Sequence, residues 1–370
     1  MKRKHNIVSL FAGCGGLDLG FRNAGFNVSW ANEIMPDVAK SYQANIGHEP
    51  IVGDIWNIMD TVPKADIVIG GPPCQAFSLV GKRLDNDPRA KLVFAYKIVI
   101  ERTLPKVFVM ENVPGLMASK IDDRSLVGYL QNEYEKLGYS VSVNKLLASD
   151  YFVPQQRKRV VMVGILNGAR KFQMLSANEF RAILGLEGQQ LPVSTCDALD
   201  DLPAPLPKRN YGAQPYAKSP HSGYAKLMRK HSEQSVTFQT MPTMSKLDQE
   251  FVKYIPPGGN YMNIPDSLST PRIVKFKTTG GRTTTYGRLH PDCPAYTINT
   301  YFNRPNVGAN YHYSEERLIT VREALRLQSF PDDFIPVYSN QRNLHIQIGN
   351  AVPPLLAQAI AESLKKVMDK

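Results

Sequence analysis

Cys74 stands at the tip of Ile67-Val68-Ile69-Gly70-Gly71-Pro72-Pro73. The apolar run reads as a buried strand. Two glycines let the backbone leave the sheet, and two prolines then stiffen it. A thiol carried on such an arm could act as a nucleophile. A buried, inert cysteine after an ordinary turn fits this stretch equally well. Glu111 ends a second apolar run, Val107-Phe108-Val109-Met110. Apolar surroundings favour the protonated carboxyl, so Glu111 could donate a proton near neutrality. A bland reading makes it a cap for the following turn. In Gln155-Gln156-Arg157-Lys158-Arg159, the spacing puts Arg157 and Arg159 on one side of an extended segment. Such a run is otherwise a solvated basic patch.

Near the N-terminus, Phe11-Ala12-Gly13-Cys14-Gly15-Gly16 follows an apolar strand and precedes a helical pattern. Glycines there permit close backbone approach to a nucleotide-like ligand, and the helix start offers free N–H groups. The pattern departs from the dinucleotide fingerprint and has no basic cluster to receive phosphates. A ligand with a carboxylate end, such as S-adenosylmethionine, fits as well. Glu33 comes about 20 residues later, at a strand end, where an acid hydrogen-bonds ribose hydroxyls. Asp54, at the next strand end, is placed to meet the base of the same ligand.

These residues need a sheet to hold them. Strands are expected over 7–11, 28–33, 50–55, 65–71, 107–113, 141–148 and 159–166. Helices are expected over 17–24, 36–45, 92–104 and 125–137. The alternation implies a doubly wound α/β sheet, with ligands bound beyond the C-terminal strand ends. After about residue 185 the periodicity weakens. Residues 191–220 are rich in proline, and Lys, Arg, Tyr, Thr, Asn and Gly dominate to about 313. An ordered but irregular surface is expected there. Helical order should return with Ser314-Glu315-Glu316-Arg317, a helix over 321–328 and a last helix over 355–367. Leu356, Ile360, Leu364 and Val367 put an apolar stripe on that last helix, which needs a core to cover. The chain thus reads as a catalytic domain over 1–184 plus 341–370 and a smaller domain over 185–340, variable over about 185–316.

Composition narrows the partners. The chain has 370 residues, 43% hydrophobic and 21% charged, as in a globular protein. Its 44 Lys+Arg against 33 Asp+Glu leave a net charge of +11. That excess favours a polyanion, nucleic acid before a membrane surface. Cys14, Cys74, Cys196 and Cys293 lie too far apart for a metal clamp, so no metal is expected and the thiols should stay reduced. Lys2-Arg3-Lys4 and the apolar run to Cys14 imitate a lipoprotein signal, but the apolar core is only about eight residues long. No segment approaches the ~20 apolar residues of a membrane span. A cytoplasmic, nucleoid-associated protein is expected.

In order, the chain carries Phe11 to Gly16, Glu33, Gly53-Asp54-Ile55, Gly70 to Gln75, Glu111-Asn112-Val113, Gln155 to Arg159, Arg317 to Phe334, and Gly349-Asn350. This series resembles the cytosine-C5 DNA methyltransferases of bacterial and phage restriction–modification systems. The resemblance implies a Rossmann-like S-adenosylmethionine-dependent fold with a smaller target-recognition domain. It implies that Cys74 adds to C6 of a flipped-out cytosine, that Glu111 meets N3, and that Arg159, with Arg157 beside it, holds O2. Phe11, Gly13, Gly15, Gly16, Glu33, Asp54, Ile55, Pro73, Leu92 and Asn350 would bind the cofactor. Gln75, Ser78, Gly81, Lys82, Arg83 and Arg89, in the segment that closes over the DNA, would contact duplex DNA. In the recognition region Arg282, Arg288 and Thr297 would do so, within the donor-rich run Arg272, Lys275, Lys277, Arg282, Thr283, Thr284, Thr285, Arg288. Ala90 stands where many members of that family carry glycine. The chain is expected to act as a monomer, paired genetically but not physically with a restriction endonuclease. A tRNA cytosine-C5 methyltransferase and a binding protein with a decayed site are the alternatives. About 130 residues separate the arginine motif from the Arg317 block, which favours DNA, and Cys74, Glu111 and Arg159 are all present.

Overall fold

The computed structural model describes residues 5–73, 91–121, 124–168, 171–232 and 234–368. They form two compact units. The first comprises 1–147, 158–176 and 354–370, and the second 148–157 and 177–353. The breaks near 177 and 354 differ from the expected 185 and 341, and residues 148–157 join the second unit.

The first unit is built on a seven-stranded sheet. Its strands are β1 (Asn6–Leu10), β2 (Asn27–Glu33), β3 (Ile51–Val52), β4 (Ile67–Gly70), β5 (Val107–Asn112), β8 (Tyr139–Leu147) and β10 (Lys158–Leu166). The two-residue strands β6 (Lys120–Ile121) and β7 (Arg124–Ser125) pair with each other, and β9 (Gln155–Gln156) belongs to the second unit. The sheet order is β3-β2-β1-β4-β5-β10-β8. All pairings from β3 to β5 are parallel, while β10 runs antiparallel to both neighbours. Helices α1 (Gly16–Asn23), α2 (Pro36–Ile46), α4 (Lys91–Thr103) and α5 (Leu126–Lys136) cross between strands, so the doubly wound α/β reading holds. β1, β4 and β5 carry near-continuous apolar runs because both faces of the sheet are covered. Val8, Leu10, Val68, Phe108, Met110 and Met162 from the strands pack with Tyr96, Val99, Leu130 and Tyr134 from the helices.

The third strand is shorter than expected. It stops at Val52, and the chain turns into the short helix α3 (Ile55–Ile58). Asp54 causes the turn, because its side chain accepts the Trp56 N–H and caps the helix. The last helix, α13 (Pro354–Met368), returns to the first unit as its apolar stripe required. It packs so closely on α1 that a Cβ at Gly20 would lie 2.4 Å from Ala357 Cβ and 2.5 Å from the Pro354 carbonyl oxygen.

The second unit is more regular than its periodicity suggests. It contains α6 (Ala177–Leu184), α7 (Thr195–Leu199), α8 (Gly223–Arg229), α9 (Lys246–Tyr254), α10 (Pro271–Thr279), α11 (Val321–Leu327) and α12 (Gln341–Asn350). Ser194, Ser222, Ser245 and Thr270 each cap a short helix by accepting a backbone N–H three residues on. The stretch 314–317 is a bend, not the expected helix. Arg317 pairs with Glu315 and forms two hydrogen bonds of 2.8 Å to the buried Glu323. Arg326 likewise joins Asp201 and Asp332, all fully buried. These pairs tie α11 into the unit.

Two outcomes follow. Gly20→Ala should lower the thermal stability of the first unit by about 2 kcal/mol, because α13 presents backbone at the contact. Burial alone would raise the Glu323 carboxyl, but the charges of Arg317 and His312 outweigh it and hold it at about 2, below the ordinary 4.5. This stabilisation is complete above the unfolded value and is lost as pH falls from 4.5 towards 2. Glu323→Gln should remove on the order of 3 kcal/mol at neutral pH and flatten the acid limb of the stability profile.

Candidate functional site

Two groups of residues meet the C-terminal edge of the parallel strands. The first surrounds the glycine turn. The Gly13 N–H donates to Glu33 Oε2 and the Met35 N–H to Oε1, both at 2.9 Å. Glu33 is therefore held at the end of β2 by the turn and by the start of α2. The Gly53 N–H donates to the Glu33 carbonyl, bringing Asp54 and the buried Ile55 alongside. Phe11, half-buried at φ 54°, directly follows β1. Burial raises the Glu33 carboxyl, against the N–H groups of Met35, Gly13 and Ile34.

This set suits a nucleoside-bearing cofactor with a methionine end. Each Glu33 oxygen accepts a backbone N–H and keeps lone-pair capacity for a further donor, as a ribose diol requires. Gly13 sits at φ 58°, and a Cβ there would meet nothing within 4 Å, so open space lies over the turn. Ile34 is 62% and Trp56 40% exposed, although both are large and apolar. Flanking Glu33 and Asp54, they supply apolar surface for a flat base. The sequence reading passed over both. The available signal was an apolar residue one or two positions beyond each acidic strand end.

The second group surrounds the arm. Asn112, at the end of β5, donates from Nδ2 to the Pro72 carbonyl at 2.9 Å and accepts the Val113 N–H. This fixes the chain two residues before Cys74. Gly71 lies against Glu111, where a Cβ would come 3.1 Å from Oε2. Glu111 is opposite Val161 in the antiparallel β5–β10 pair. Arg159, two residues from Val161, lies on the same face. Its Nε is 2.6 Å from Glu111 Oε1. The contact is an ion pair without an aligned hydrogen bond to Oε1. Glu111 is buried, as the apolar run suggested, but a guanidinium faces it that the sequence reading did not pair with it. Pro73 is exposed and Leu92 half-buried. Cys74, Gln75, Ser78, Gly81, Lys82, Arg83 and Arg89 lie outside the described residues.

Arg157 departs from the sequence reading. It belongs to the second unit, is 1% exposed, and donates to the carbonyls of Ile298, Gly349 and Ala351, each at 2.9 Å. It holds backbone rather than standing ready for a substrate. Asn350 ends α12 between two of those carbonyls and is exposed. Gln155 reinforces the tie, donating to Leu327 and accepting the Ile298 N–H. Thr297 donates to the Gln156 carbonyl.

The basic run in the second unit divides in two. Arg288 donates to the His312 and Ile255 carbonyls, and burial lowers its pKa. Lys277 pairs with Asp266, and Thr285 is buried. Arg272, Lys275, Arg282 and Thr283 are exposed. Among the described residues no three His, Cys, Asp or Glu side chains could hold a metal ion together.

The family of C-5 cytosine-specific DNA methylases matches residues 5–366. A type II methyltransferase of Haemophilus parahaemolyticus, M1.HphI, is 33% identical over 97% of this chain and 86% of its own length. M.NgoFVII of Neisseria gonorrhoeae is 33% identical over 99% and 87%. M.MthTI of Methanothermobacter thermautotrophicus is 32% identical over 98% of each. Among solved structures, a DNA modification methyltransferase encoded within an E. coli prophage superposes with a TM-score of 0.74 at 24% identity, covering 99% of this chain and all of that one. S. pombe Dnmt2 gives 0.59 at 16%, covering 99% of both. The chain belongs to the C-5 cytosine-specific DNA methylase family. It is an S-adenosylmethionine-dependent DNA cytosine-5 methyltransferase of the type II restriction–modification kind. Among the described residues no helix is long and apolar enough to cross a membrane.

The cysteines can be told apart chemically. Burial pushes the Cys14 thiol up to about 12, so it stays protonated, and burial also raises Cys196, while Cys293 is exposed. Iodoacetamide at pH 8 should label Cys293 readily and leave Cys14 unmodified in the folded protein, read by peptide mass spectrometry. Early labelling of Cys14 would contradict the burial assigned to it.

Proposed function

We propose that Cys74 is the nucleophile, that Glu111 and Arg159 hold the cytosine edge, and that the second unit reads the DNA sequence. The observation that carries this reading is the Glu111–Arg159 pair beside the Gly71-Pro72 arm that leads to Cys74. C5 of cytosine is a poor nucleophile. Addition of the Cys74 thiolate to C6 forms an S–C6 bond and moves the ring electrons towards C5, N3 and O2. In its carboxylic acid form Glu111 stabilises that charge by giving its proton to N3, and Arg159 does so by donating to O2. Their mutual pairing keeps both side chains placed before the base arrives. C5 then accepts a methyl group, which S-adenosylmethionine supplies when bound. Transfer of the C5 proton to water, return of the N3 proton to Glu111 and expulsion of the Cys74 thiolate restore the aromatic ring.

Glu33 would hold the ribose hydroxyls, and Asp54, Ile55, Ile34 and Trp56 the adenine. Phe11, Gly13, Gly15, Gly16, Pro73 and Leu92 would complete the cofactor set in the first unit. The base must leave the duplex, at a cost of a few kcal/mol. Gln75, Ser78, Gly81, Lys82, Arg83 and Arg89 are proposed to meet the DNA as it does so. Arg272, Lys275, Arg282 and Thr283 are the exposed donors of the recognition unit, and each good bidentate base contact would discriminate by ~1–3 kcal/mol. Arg288 and Arg157 act instead by shaping that unit. The protein would work as a monomer in the cytoplasm, protecting DNA from a cognate endonuclease.

Cys74→Ser should bind duplex DNA and cofactor as before while methyl transfer falls by more than about a thousandfold. Duplex DNA with 5-fluorocytosine at the target should trap a covalent complex of the unsubstituted enzyme and none of Cys74→Ser. Methyl transfer to tRNA and not to duplex DNA would reverse the substrate assignment.

A further inference from the structure

Asp18 is the buried acid that this mechanism leaves unused. It lies in the first turn of α1, directly after the glycine turn, and is fully buried. Its Oδ1 accepts the Tyr42 hydroxyl at 2.9 Å, and its Oδ2 has no hydrogen-bond partner among the described residues. Burial pushes its carboxyl up to about 6, against the pull of the Tyr42 hydroxyl. A half-satisfied carboxyl in a core is costly, and in general an apolar pair of the same shape is often at least as stabilising. The hydrogen bond therefore has value as a constraint.

What it constrains is Tyr42. This residue is fully buried in α2, and its ring lies under the glycine turn. Gly15 stands at φ 91°, and a Cβ there would fall 3.1 Å from Tyr42 Cδ2 and 2.7 Å from Ile46 Cγ1. The turn thus rests directly on two side chains of α2. Arg22 of α1 donates to the Ile46 and Asn45 carbonyls and fixes the far end of the same helix. The near end is fixed by the Met35 N–H on Glu33. Tyr42 is the central support, and Asp18 holds it.

We infer that Asp18, through Tyr42, is a positioning residue that holds the Gly13–Gly16 turn in the shape that binds S-adenosylmethionine. This rests on the reading that the turn and Glu33 form the cofactor site. Fixing the turn in advance leaves less ordering to be done when the cofactor binds.

The full chain should be compared with Tyr42→Phe, Asp18→Asn, Asp18→Ala, Ile46→Ala and Glu33→Gln. S-adenosylhomocysteine affinity is measured by calorimetry, backbone exchange of residues 13–18 by mass spectrometry, and KM and kcat by methyl transfer to DNA. Tyr42→Phe and Asp18→Ala should each bind about tenfold more weakly and exchange faster over the turn, with kcat at saturating cofactor little changed. Combining them should add little further loss. Asp18→Asn keeps an acceptor for the Tyr42 hydroxyl and should restore most of the affinity. Ile46→Ala removes the other support and should act in the same direction should Tyr42→Phe fold poorly. A lower melting temperature with unchanged affinity and unchanged exchange would overturn the proposal. Glu33→Gln separates the two levels. If it weakens binding while Tyr42→Phe and Asp18→Ala do not, the positioning role fails and the site stands. If Glu33→Gln also binds normally, the cofactor site itself is misplaced.

Discussion

The antiparallel register of β10 on β5 is the constraint on which the site depends. Glu111 faces Val161, so Arg159 falls on the same face of the sheet, one diagonal away. A slip of one residue would turn Arg159 to the opposite face and leave Glu111 without its cation. The same strand end places Asn112, whose amide holds the Pro72 carbonyl and hence the base of the arm. One pairing therefore sets the acid, the guanidinium and the starting point of the thiol's arm. It can do so rigidly because β4, β5 and the centre of β10 are buried. A site on central strands inherits the precision of the core, which a loop site would lack.

The cofactor side follows another rule. There the backbone is shaped by a side chain it does not neighbour in sequence. Glu33 takes one N–H from the glycine turn and one from the start of α2, so a single carboxylate closes two loops. Those bonds oppose its burial without cancelling it, since the carboxyl is still raised. Asp54 does a related task at the next strand end, turning the chain into α3. Both acids thus build the backbone around the site before any ligand is considered.

Much of this was legible in the residues. Apolar runs separated by helical patterns marked the sheet, because buried parallel strands leave a continuous signature. Family identity was legible because the blocks occur in order along the whole chain. The pairing of Glu111 with Arg159 was not, since no local pattern gives the register of strands about fifty residues apart. Apart from α11, which was expected over 321–328, the helices of the second unit were missed for another reason. Their apolar stripes are short, and their signal lies in caps such as Ser194 and Ser245 rather than in periodicity. Arg157 and Arg159 looked equivalent because they share one face of an extended segment. The chain passes from one unit to the other between them, which sends Arg157 to backbone carbonyls and Arg159 to Glu111.

Charge counting needs the same correction. A net +11 pointed to a polyanionic partner, yet several arginines are internal. Arg317 lies between Glu315 and Glu323, and Arg326 between Asp201 and Asp332. Each of these cations is matched by carboxylates, so removing the groups from the count does not consume the excess. Any long-range attraction for a polyanion would fall to cations at the surface, and Arg272, Lys275 and Arg282 are exposed. The interior arginines make that attraction useful. By fixing α11 and the carbonyls beside Ile298 and Asn350, they hold the second unit in one shape, which non-directional charge cannot do.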